Sequence, residues 1–144
     1  MTRQDRIAQH IRQDAYAAWL NAHIETIEPG FSQVRLTVTP EMLNFHGVAH
    51  GGLLFSLADI AFAAASNARG QTAVALQVSA TFMRAAHAGD ELLARCRERD
   101  LNGPIGLYDI DVRRLPDDEL VLQCQATVYR KRHWFVPQDP SSVP

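Results

Sequence analysis

The stretch 53–68 constrains this chain more than any other part of it. Leu53, Leu54, Phe55, Leu57, Ala58, Ile60, Ala61, Phe62 and the alanines from Ala63 to Ala65 leave a helix almost no polar side to show to water. A helix apolar all round is expected to be buried all round, so the rest of the chain must wrap it. Six alternating segments can do so: 22–28 and 31–39, split by Pro29-Gly30, then 72–84, 91–99, 105–113 and 120–130, each closed by Gly, Pro, Asn or Asp. The short turns between the last four predict an antiparallel meander. The fold class expected is α+β, a sheet curled around one central helix.

A chain of 144 residues is long enough for one such core and too short for two. The expected organisation is an amphipathic surface helix over 1–20, with Ile7, Ile11, Ala15, Ala18 and Trp19 inward, one domain over 21–130, and a loose tail over 131–144. A net charge of −2 without long basic runs offers no field for polyanions, so no nucleic-acid partner is expected. Ser56 and Asp59 interrupt the one stretch apolar enough to suggest a membrane span, and 2–13 carries charges where a signal peptide needs an apolar run. With Cys96 and Cys124 read as small buried hydrophobes, the expectation is a cytoplasmic protein without a membrane partner.

Asp59 is the residue out of place. Among Leu57, Ala58, Ile60 and Ala61 an unpaired carboxylate costs several kcal/mol, so it has hydrogen-bond partners, is protonated or faces a cleft. Ser56, Asp59, Ala63 and Ser66 share one helix face at three- and four-residue spacing, and that narrow polar face could line a site. His50-Gly51-Gly52 stands at the helix start, where backbone N–H groups lack intrahelical partners and the dipole is positive. Such a place either holds an oxygen that gains negative charge or serves only a tight turn. His46 and His50 lack a third ligand, so no metal is expected. Eight residues of helix rise about 12 Å, too far for Gly51 and Asp59 of one chain to reach one carbonyl group. If they cooperate, they come from two antiparallel copies of the helix about a two-fold axis.

The run from Asn44 through His50-Gly51-Gly52 to Asp59 resembles the hot-dog-fold acyl-CoA thioesterases, most closely the phenylacetic acid degradation branch. The likeness extends over roughly 21–129 in the order hairpin, central helix, four-strand meander. It implies Asp59 as the catalytic carboxylate, the Gly51 N–H polarising the thioester carbonyl, and Asn44 and His50 orienting thioester or water. It implies a homodimer with shared sites, usually a homotetramer, and no cofactor, coenzyme A being part of the substrate. The water-positioning hydroxyl of some relatives has no counterpart at Ala63, Ala75 or Gln77, and Ala85 replaces a common proline.

The expected reaction is hydrolysis of short-chain or aryl acyl-CoA, of the phenylacetyl type, to free acid and CoA. The alternatives are a non-catalytic acyl-CoA-binding module and a hydratase or dehydratase, which needs a His paired with a carboxylate across the cleft. Phe62 and Ala63, one turn past the acid, are expected to close the acyl end. Gly52 is expected to assist at the thioester, and Arg69 and Arg84 to meet the nucleotide phosphates.

Overall fold

The computed structural model describes residues 1–140. Thr2 begins helix α1 (Arg3–Ile11) with a reciprocal cap: its hydroxyl accepts from the Asp5 N–H at 3.0 Å, and its own N–H donates to the Asp5 carboxylate at 2.9 Å. The single helix expected over 1–20 is two. The chain breaks at Arg12, and Asp14 caps a new helix, α2 (Ala15–Trp19), by accepting from the Ala17 N–H at 3.0 Å. The break rotates the inward face, so Ala17 and Leu20 are buried while Ala18 and Trp19 face outward.

Strands β1 (His23–Glu28) and β2 (Phe31–Thr37) form the predicted hairpin, and a single 3₁₀ turn (Pro40–Met42) leads into the glycine-rich loop. Helix α3 (Gly51–Ser66) follows, then β3 (Gln71–Phe82), β4 (Glu91–Asn102), β5 (Ile105–Leu115) and β6 (Glu119–Trp134). The sheet order is β1-β2-β4-β5-β6-β3, with antiparallel neighbours throughout. The expected four-strand meander is therefore a three-strand one, β4-β5-β6. β3 crosses to the far edge and pairs with β6, which lets the sheet close around both flanks of the helix.

Leu54, Leu57, Ala61 and Phe62 of α3 pack into the concave sheet against Val34, Leu36, Leu92, Ile110 and Leu122. Each such aliphatic side chain contributes about 1.5–3 kcal/mol on burial. Ser32 of β2, fully buried, donates its hydroxyl to the Ala61 carbonyl and pins helix to sheet. Burial all round does not hold within one chain, because Gly52, Phe55, Asp59 and Ala63 form an exposed stripe along α3. Ser66, expected on that face, is buried, with its hydroxyl 3.4 Å from the Ala63 carbonyl.

The segment after 130 is tied down further than expected. β6 continues to Trp134, and the Phe135 N–H donates to the Gly70 carbonyl at 2.9 Å. Val136 is buried, and Arg3 reaches the carbonyls of Arg69, Val136 and Pro137. Gly70 sits at the centre of this knot with φ +84°, and a Cβ there would stand 2.7 Å from the Arg3 guanidinium. The remainder of the expected tail, 141–144, lies outside the described residues.

Candidate active site

His50 caps α3 by accepting the Gly52 N–H on Nδ1 at 2.9 Å. With Nδ1 an acceptor, the neutral ring carries its proton on Nε2 and presents a donor. This also assigns Gly52: its N–H is spent on the cap and is not offered to a substrate, contrary to the sequence expectation. The Gly51 N–H at the first helical position has no acceptor among the described residues. It lies at the positive end of a sixteen-residue helix and is free to bind an oxygen. The Phe82 ring stands over Gly51, 3.5 Å from where a Cβ would be.

The loop before the cap is held by Asn44, whose Oδ1 accepts from the His46 N–H at 2.9 Å and the Val48 N–H at 3.3 Å. Its Nδ2 makes no hydrogen bond among the described residues, so Asn44 shapes the loop and keeps a donor in reserve. His46 is exposed and tilted against Phe45 at 4.2 Å, outside any cluster with His50.

Asp59 lies two turns along the exposed stripe of α3. Its carboxylate accepts no hydrogen bond among the described residues, which removes the reading of a structurally satisfied Asp. Surrounding protein strips part of its water and pushes its pKa above the ordinary 3.8, and the charge of Asp14 at the start of α2 adds to the rise. The carboxylate is reachable from solvent and is a stronger base than a free Asp.

A match to the thioesterase superfamily spans residues 46–121, just over half the chain. The acyl-coenzyme A thioesterase PaaI of Escherichia coli is 46% identical over 99 residues, 69% of this chain and 71% of that protein. The chain belongs to the thioesterase superfamily. The structure of the E. coli PaaI protein, from the phenylacetic acid degradation operon, superposes with a TM-score of 0.87 at 36% identity, covering 92% of this chain and 96% of the other. A Streptococcus mutans protein solved with acetyl-CoA bound matches with a TM-score of 0.73 at 28% identity, covering 77% of this chain and 89% of that one. The hot-dog fold implied by the resemblance is thus the fold of this thioesterase.

Two expectations for the thioesterase's outer residues change, those for Arg69 and Phe62. Arg69 is no free cation: its guanidinium makes two bonds to Glu98, at 2.6 and 3.0 Å, and the Tyr108 hydroxyl joins them at 3.1 Å. Phe62 points inward, 2% exposed and edge-on to Tyr108 at 5.5 Å, so it cannot close an acyl pocket on the outer face. Arg84 is exposed, at a bend two residues past the end of β3, paired with Glu119 at 3.1 Å and donating to the Leu120 carbonyl at 2.9 Å.

Sequence reasoning missed Tyr16, whose hydroxyl lies 2.9 Å from Ser56 Oγ, one turn before Asp59. Nothing local signals it, because a contact across 40 residues depends on how α2 docks. A hollow on the outer sheet face, near Ser79, Gln125 and Arg99, offers no comparable chemistry, since Arg99 is held by Asp109.

Proposed function

We propose that Asp59 and the Gly51 N–H carry the hydrolysis of an acyl-CoA thioester, Asp59 from one copy of the chain and Gly51 from another. The observation that carries this reading is an unpartnered carboxylate of raised pKa on the exposed stripe of the helix whose N-terminal N–H, at Gly51, is unpartnered too. Ionised Asp59 takes the proton of the attacking water, or itself attacks the carbonyl carbon. The carbonyl electrons move onto oxygen, where the Gly51 N–H and the α3 dipole receive the charge. On the water route, collapse breaks the C–S bond, Asp59 passes its proton to the sulfur so that CoA leaves as the thiol, and the acyl group leaves as the free acid. On the direct route, collapse expels CoA thiolate and leaves an Asp59–acyl anhydride, which water hydrolyses to the free acid and the Asp59 carboxylate, the released proton completing the thiol. The His50 Nε2–H and Asn44 Nδ2 orient thioester or water. No metal or redox group enters this scheme.

The two-copy arrangement rests on the roughly 12 Å rise from Gly51 to Asp59 along α3. It is supported by the exposed stripe that includes Phe55 and by edge strand β3, which leaves Val74 and Leu76 at 39% and 57% exposure. We further read the assembly as a pair of such dimers, a homotetramer, following the PaaI resemblance. Arg84, exposed at the bend just after β3, is our contact for a nucleotide phosphate. Among the described residues no helix is long and apolar enough to cross a membrane. The two buried free cysteines support a reducing, cytoplasmic setting.

Free-thiol release from phenylacetyl-, hydroxybenzoyl-, butyryl- and palmitoyl-CoA tests the proposal. Turnover of a short or aryl thioester that Asp59→Asn abolishes supports it. Turnover unaffected by that change refutes it.

A further inference from the structure

α2 runs along α3 in the opposite direction. Asp14 at its start borders the same hollow as Ile60 and Ala63, Tyr16 meets Ser56, and Trp19 at its end shares a cleft with His50 and Leu53. That cleft holds about 540 Å³ and is bordered by His50, the residue that immediately precedes Gly51 in the chain. Its walls are Trp19, Met42, Leu43 and Leu53, and buried Leu20 forms its floor. The size and the apolar lining with a few polar groups at the mouth are those of a small-molecule pocket.

Trp19 is the unusual wall. It is 76% exposed, and its ring stacks on Tyr16 at 5.9 Å with 25° between the planes. Tyr16 is fixed in turn by its hydroxyl bond to Ser56. One Trp face is therefore used by a held partner and the other is open. An aromatic guest gains a stacking partner there beyond area burial, and a flexible alkyl chain does not.

We infer that α2 forms the acyl pocket's wall, and that the Tyr16–Trp19 pair makes this thioesterase select a compact aryl acyl group over an extended chain. The inference rests on the acyl-CoA reading above and adds residues outside the span matched to the family. The thioester carbonyl sits at the Gly51 N–H, the acyl ring turns past His50 onto Trp19, and Leu20 stops anything longer.

The test measures kcat/KM for phenylacetyl-CoA and decanoyl-CoA with the wild type, Trp19→Ala and Trp19→Phe. Trp19→Ala is expected to lower the phenylacetyl-to-decanoyl ratio by about tenfold or more, and Trp19→Phe to retain most of it. An unchanged ratio in Trp19→Ala overturns the inference and leaves the thioesterase reading intact. An equal loss on both substrates, with dissociation in sedimentation, also overturns it by making Trp19 a subunit contact. In a second arm, Trp134→Phe leaves Trp19 as the sole tryptophan of the chain's two. The non-hydrolysable thioether phenacyl-CoA should then change its emission saturably while CoA alone does not, and equal responses to both probes overturn the inference. Thiol release from no substrate refutes the thioesterase reading, while the fluorescence arm still decides whether the cleft takes a ring.

Discussion

The two ends of α3 carry similar chemical groups in opposite states. At the C-terminal end, Arg69, Glu98 and Tyr108 satisfy one another, and burial that would raise the Glu98 pKa is outweighed by Arg69, so the carboxyl ends below its ordinary value. Toward the N-terminal end, the Gly51 N–H and the Asp59 carboxylate have no partners among the described residues, and burial moves Asp59 the other way. A satisfied charge holds the fold together. An unsatisfied one that is partly desolvated costs stability and is retained for its reactivity.

The sharpest break in this comparison is Asp59→Asn, which keeps shape and removes basicity. We expect kcat/KM to fall by about two to four powers of ten, with a melting temperature equal to or above that of the parent because a desolvated charge is gone. A lower melting temperature would place Asp59 with Glu98 among the structural groups. Next is Gly51→Pro. Proline is well tolerated at the first helical position, and His50 already has the extended ψ of 138° that a following proline requires. The change deletes one N–H and should cost about 10²–10³ in kcat. Co-expressed with Asp59→Asn, it should regain part of the activity in isolated heterodimers. Heterodimers without recovery would refute shared sites.

The carboxyl groups of the two ends have their pKa values moved in opposite directions, so both effects fade in acid but Glu98 holds to lower pH than Asp59. Asp59 must be ionised to act, so kcat/KM should fall as pH drops through a value above 3.8, and Asp14→Asn should move that midpoint down. Glu98 has a lowered folded pKa, so its contribution to stability is full above its ordinary 4.5 and is lost as pH falls through the folded value. The smallest effect expected is that of Glu98→Gln. Arg69 keeps 35% side-chain exposure and is partly screened, so we expect a loss of about 1 kcal/mol in denaturant melts, with kcat/KM within twofold.

Much of this was legible in the sequence where one residue type had one physical use. The strictly alternating β2, the all-apolar α3, its start at His50-Gly51-Gly52 and the misplaced Asp59 each follow from local chemistry. What was not legible depended on partners distant in the chain. Asp14 reads as a helix residue until its capping of α2 is seen, and Arg69 reads as a free cation until Glu98 of β4 meets it. Phe62 and Asp59 are three residues apart, yet the edge of the sheet falls between them and buries one while exposing the other, because periodicity locates a face without saying where the sheet covers it. The placement of β3 beside β6 follows from closing the sheet, which no single turn encodes.

The crossing of β3 also sets an order of assembly. Its partners in β6 lie 40 to 63 residues further along, so as the chain emerges from the ribosome β3 is complete well before anything exists for it to pair with. Until β6 arrives, a twelve-residue strand bearing Val74, Leu76, Val78 and Phe82 has both edges open, beside a helix not yet wrapped. Closing that long loop is the slow, non-local event of folding. A chain cut short before residue 119 therefore lacks more than its last strand: it opens both edges of β3 and one of β5, where the finished sheet leaves β3 a single open edge and β5 none.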